Sequence, residues 1–157
     1  MEAPLDSWYA WLGLAATSVV LVGAAGSLPT RPPPDAAGLA DSLDRTVVSD
    51  APASAEHPLA ADRVRLGADR VALRNDAGTA RARLAYGPVT PVRPDTRLAR
   101  VLHGTPPGRA FADREAFADA VGRARERGRN ATWRPAPESV TARRVSWGEV
   151  DVTLVGA

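Results

Sequence analysis

Hydrophobic positions in this chain follow two regimes. From Trp8 to Leu28 no charged side chain interrupts 21 consecutive residues, whereas after Pro29 apolar residues recur at short spacings with charge between them. As a helix the first stretch, at about 1.5 Å per residue, reaches the roughly 30 Å of a bilayer's hydrocarbon core, so it predicts a transmembrane helix. Trp8, Tyr9 and Trp11 stand at its entry, where amphipathic rings suit headgroups. Pro29 and Arg31-Pro32-Pro33-Pro34 close it, because proline removes a donor and turns the preceding residue out of helical geometry. Gly13 and Thr17 have the small-xxx-small spacing at which a second helix approaches closely. A cleaved signal would need a basic residue before the run; residues 1–7 hold two acids and none.

The remaining pattern predicts a small folded module. Asp35 is an N-cap, and Leu39, Leu43 and Val47 at i, i+4 and i+8 predict a short amphipathic helix over 35–48. Ala51 to Pro58 reads as linker, with the domain boundary near His57. Val64 and Leu66, then Val71 and Leu73, alternate as strands, and Asn75-Asp76-Ala77-Gly78 is a hairpin turn. The next strand runs to Tyr86, with Ala80, Ala82 and Leu84 on one face and Arg81 and Arg83 on the other. Leu98 to Leu102 is expected as one more strand. Asp113 caps a helix whose stripe is Phe117, Ala120, Val121 and Ala124 and which Gly128 ends. Val140–Trp147 and Val150–Val155 form a terminal hairpin across Gly148-Glu149.

The predicted fold is α+β: an N-terminal transmembrane helix followed by a small, mainly antiparallel β module with one packed helix. Residues 1–30 are tail and transmembrane helix, 31–56 a proline-rich acidic linker with the short helix, and 57–157 the α+β module.

Charge changes this picture more than overall composition does. The chain has twenty Arg and no Lys, a usage expected from GC-biased codons, so arginine excess alone is no sign of nucleic-acid binding. Residues 31–62 carry six acids against two arginines, net −4; residues 63–157 carry eighteen arginines against ten acids, net +8. The basic module can meet an anionic partner, and the run Arg123, Arg125, Arg127 and Arg129 is the candidate surface.

Chemistry is sparse. With no cysteine there is no thiolate nucleophile and no Cys-based zinc site. His57 and His103 lie outside any metal-ligand spacing, and 104–109 lacks the Lys-Ser/Thr of a phosphate-binding loop. No Gly-x-Ser-x-Gly elbow occurs. No catalytic set, cofactor or metal is expected. Trp133 and Trp147 are expected to anchor the core. Asn130-Ala131-Thr132 fits the N-glycosylation pattern, whose physical content is an accessible loop.

Trp8-Tyr9-Ala10-Trp11-Leu12-Gly13-Leu14, the exit Leu28 to Asp35, and the segments Val71 to Ala80 and Ala85 to Val92 resemble an uncharacterised family of small haloarchaeal membrane proteins. The architecture is similar to that of type IV pilin-like proteins. That resemblance implies an extracytoplasmic module that assembles through its N-terminal helix. The functional expectation is a non-enzymatic, single-pass membrane module, partnered by lipid and by membrane or surface-assembly proteins. The alternatives are a cytoplasm-facing basic module binding anionic lipid or nucleic acid, and a hydrolase centred on His103.

Overall fold

Asp35 opens the first described element of the fold. Its carboxylate accepts the Gly38 amide at 2.8 Å and caps α1, Ala36–Val47, satisfying one of the helix's orphan donors. Ala36, Leu39, Ala40 and Leu43 are buried along one stripe of that helix. A computed structural model describes residues 31–49 and 53–157, and its compact unit covers Pro33–Ala157. The 31–56 segment is thus no mere linker, because α1 packs into the core.

The described strands that follow are β1 Ser54–Pro58, β2 Arg63–Leu66, β3 Arg70–Asn75, β4 Gly78–Arg83, β5 Thr90–Val92, β6 Arg134–Pro135, β7 Ser139–Trp147 and β8 Val150–Gly156. They form two sheets, ordered β1-β7-β8-β5 and β4-β3-β2-β6. All pairs are antiparallel except β5 with β8. The described helices after α1 are α2 Arg97–Leu102, α3 Pro107–Ala110 and α4 Arg114–Arg129. One packed helix was too few.

Alternation along the terminal hairpin explains the layering. Val145, Val152 and Leu154 face a core built with α2, α3 and α4, whose largest members are Phe111 and Phe117. Val140, Ala142 and Val155 face the other way, into a core shared with α1 and with Val64, Leu66, Val71 and Leu73 of the second sheet. The β7–β8 sheet is therefore apolar on both faces, and each face is covered by a separate part of the chain.

Two local expectations change. Leu98–Leu102 is helical, because Thr96 accepts the Ala99 amide at 3.2 Å as N-cap and Leu98, Val101 and Leu102, at i, i+3 and i+4, are all buried. Ala51 to Pro58 contains a strand, because the edge of β7 offers backbone partners from Arg143 back to Ser139. Gly128 lies inside α4 and does not end it; a Cβ there would sit 2.9 Å from Pro91 Cγ, so a close approach explains the glycine.

Among the described residues no helix is long and apolar enough to cross a membrane. The expected architecture of a transmembrane helix ahead of the module, and with it the single-pass and pilin-like description, is corrected to an α+β unit over Pro33–Ala157. The segment 8–28 on which that expectation rests lies outside the described residues.

Arg144 on β7 ties two elements together. It donates to the carbonyls of Val47 and Ser49 at the end of α1, and to both carboxylate oxygens of Asp151 on β8. The arginine hydrogen bond is the main cause that holds the Asp151 carboxyl below its ordinary value of 3.8. A carboxyl lowered in the folded state contributes stability above its unfolded value and loses it as pH falls through the folded one. Asp151→Asn is therefore expected to lower the urea midpoint slightly at pH 7. The gap from the parent should shrink as pH drops below about 4, and a gap unchanged at acid pH would contradict the assignment.

Candidate anion-binding surface

The strands β2, β3 and β4 read Arg-Val-Arg-Leu, Arg-Val-Ala-Leu-Arg-Asn and Gly-Thr-Ala-Arg-Ala-Arg. Period two sends Val64, Leu66, Val71 and Leu73 inward, so the arginines are left on the outer face. The register sets Arg63 beside Arg74, Arg65 beside Ala72, Arg70 beside Arg83 and Ala72 beside Arg81. Each of three adjacent strands thus contributes two arginines to one face.

Ala72, 6% exposed, forms the low floor between them. With Arg65, Arg70, Arg81 and Arg83 it lines a cavity of about 290 Å³, closed on one side by Gly128, Arg129 and Ala131 at the end of α4. Gly67, in the turn between β2 and β3, lets that end approach: its Cβ position lies 3.3 Å from the Gly128 carbonyl oxygen. Arg74 lies over the Trp133 ring, its Cζ 4.8 Å from the ring centre, and donates to Thr79 Oγ1 at 2.9 Å, so its guanidinium is held at the margin.

Little acid balances this charge. Asp69 pairs with Arg70 at 3.0 Å. The hydrogen bond from Arg70 is the main cause that keeps the Asp69 carboxyl below its ordinary value, with Arg83 adding to the effect, and Asp69 in turn raises the Arg70 guanidinium. Among the described residues no carboxylate is ion-paired to Arg63, Arg65, Arg81 or Arg83. Guanidinium groups stay protonated and offer planar forks of donors that match carboxylate, phosphate or sulfate oxygens. The guanidinium donors of this face are thus arranged in a way that matches the oxygens of an anion.

The four arginines expected as a single basic patch on α4 diverge. Arg123 pairs with Asp119 at 3.6 Å, and with Arg127 and Arg97 it borders a different hollow beside Phe111. Arg125 is half-buried and donates to Thr90 Oγ1 at 3.0 Å. Arg129 pairs with Glu126 at 2.8 Å and is the member that reaches the rim of the β2–β4 cavity. Asn130 is the exposed C-cap of α4. Trp8, Tyr9, Trp11, Gly13 and Thr17 lie outside the described residues.

His57 is half-buried on β1, and His103 is exposed at the end of α2. His103 lines a broad hollow of about 580 Å³ with Glu56, Ser139 and Thr141. There Ser139 donates to Glu56 at 2.5 Å, and the imidazole takes no part. Among the described residues no group of His, Asp or Glu is arranged to hold a metal ion. Trp147 packs against Phe117 as a core anchor, whereas Trp133 serves the arginine face.

The model of a family of unknown function matches residues 2–145. The chain belongs to that family, DUF7283. No curated protein matches it, and no solved structure does. The DUF7283 match takes in every arginine of the β2–β4 face and the end of α4 that borders it.

Local alternation was enough to place Arg81 and Arg83 opposite Ala80 and Ala82. Joining them to Arg65, Arg70 and Arg129 required the strand order.

Proposed function

We propose that this protein is a non-enzymatic interaction module that holds an anionic partner on the outer face of β2, β3 and β4. One observation carries the reading: three neighbouring strands present paired arginines around a concavity, with Asp69 as the carboxylate ion-paired there. Like charges side by side on a sheet repel and lower stability, so the arrangement favours a counter-charge supplied from outside. The low Ala72 floor leaves room for an anion between the guanidinium groups of Arg65, Arg70, Arg81 and Arg83.

The test uses poly-L-glutamate as the probe and two triple variants of equal net charge. Each exposed arginine–carboxylate contact is worth about 0.2–1 kcal/mol, so three together set a loss of about tenfold. Arg65→Gln/Arg81→Gln/Arg83→Gln is expected to bind about tenfold more weakly than the parent, with a flatter salt dependence. Arg93→Gln/Arg100→Gln/Arg109→Gln, which removes exposed arginines elsewhere, is expected to stay near the parent. Equal losses in both variants would mean that net charge and not this face governs binding, and the proposal would fall.

A further inference from the structure

We infer that β4 is an acceptor edge: an extended acidic segment of a partner protein adds to it as an antiparallel strand, with its acidic side chains on the arginine face. The inference rests on the reading that this face binds an anion. It adds the conformation and the class of the partner.

Among the described residues the second sheet ends at β4. Leu84 donates to the Asp69 carbonyl at 2.9 Å, and with the register of the β3–β4 pair this makes Val71/Ala82 and Leu73/Ala80 the hydrogen-bonded pairs. The N–H and C=O groups of Thr79, Arg81 and Arg83 therefore point away from β3. Among the described residues none of these backbone groups takes a partner. The next outward amide, that of Ala85, is already held by a carboxylate: Asp44 of α1 accepts it at 2.9 Å and accepts Tyr86 N–H at 3.1 Å. One end of the edge is thus closed by an acid of the same chain, and Thr79 to Arg83 is the stretch left open.

In an antiparallel addition, the residues that exchange hydrogen bonds with Thr79, Arg81 and Arg83 also place their side chains on the outer face. There they meet Arg81 and Arg83. The intervening residues lie toward Ala80, Ala82 and Leu84, which are half-buried and apolar. The segment that fits alternates acidic with apolar residues. A second copy adding through its own β4 would set arginine against arginine, which disfavours self-pairing. A nucleic acid supplies the charge but no ladder of amide donors and carbonyl acceptors.

The experiment uses the full chain and synthetic peptides of about eight residues, an ordinary strand length, alternating Glu and Val. One version is N-methylated at every Glu, which removes the N–H groups facing β4, and the other at every Val. Losing two or three edge hydrogen bonds predicts about tenfold weaker binding for the first version. The second version should bind within about twofold of the parent peptide, and the parent peptide should slow hydrogen exchange at the amides of Thr79, Arg81 and Arg83. Equal affinity of the two methylated peptides, or no added protection, overturns strand addition and leaves the anion-binding face standing. Binding of a single-stranded oligonucleotide without binding of the peptide does the same. Binding of neither removes both readings.

Discussion

Phe117→Ala is expected to lower the free energy of unfolding by about 3–5 kcal/mol, the range for emptying an aromatic site in a closed core. Phe117 is 0% exposed and sits on the buried stripe of α4. Its ring meets Phe111 edge-on at 5.3 Å and Trp147 at 5.9 Å, so truncation removes both aromatic contacts as well as the buried area. The flanking elements limit collapse, since the ring lies between α4 and a strand pair whose spacing is set by backbone hydrogen bonds. Urea denaturation followed by tryptophan fluorescence measures the change. Phe117→Leu should fall well short of it, and a loss below about 1 kcal/mol for the alanine variant would show that α4 is not packed as described.

Asp44→Ala is expected to cost about 2–3 kcal/mol, the scale for hydrogen bonds to a charged acceptor. Asp44 is 8% exposed, and its two oxygens accept the amides of Ala85 and Tyr86. Those amides lie where the chain leaves the β4 sheet for β5 in the other sheet. One side chain thus pins the crossover between sheets to α1. Exposure of Ala85 and Tyr86 lets water recover part of the loss, which keeps the figure near one strong bond. Asp44→Asn can satisfy one amide but sets its own N–H₂ toward the other, so it should recover little. Faster hydrogen exchange at Ala85 and Tyr86 should accompany both variants. An unchanged midpoint together with unchanged exchange would refute the pinning role.

Much of the local structure was legible because its causes are local. Asp35 and Asp113 stand three residues before the amides they accept. The 75–78 turn combines an Asn side chain that accepts the Ala77 amide with a glycine at φ 138°. Leu98 to Leu102 was misread because five residues with apolar ends fit either period, and the deciding signal was the Thr96 cap. The run from Arg123 to Arg129 looks like one patch when written in a line. A helix turns about 100° per residue, so Arg123 and Arg127 fall on one side, where Arg123 meets Asp119, and Arg125 and Arg129 on the opposite side, where they meet Thr90 and Glu126.

What the sequence by itself determined is the type and facing of most segments. The alternation in β2, β3 and β4 commits valine and leucine to one side and arginine to the other, because side-chain direction in a strand follows from the pleat alone. Only the tertiary structure decided that the strands divide into two sheets, that β5 runs parallel to β8, that 54–58 joins β7, and that among the described residues β4 is left with an open edge. Those outcomes depend on which distant surfaces bury one another, as Asp44 does with residues 41 and 42 positions away. A pairing of that range is chosen by the free energy of the whole packed unit, and no window of neighbouring residues contains it.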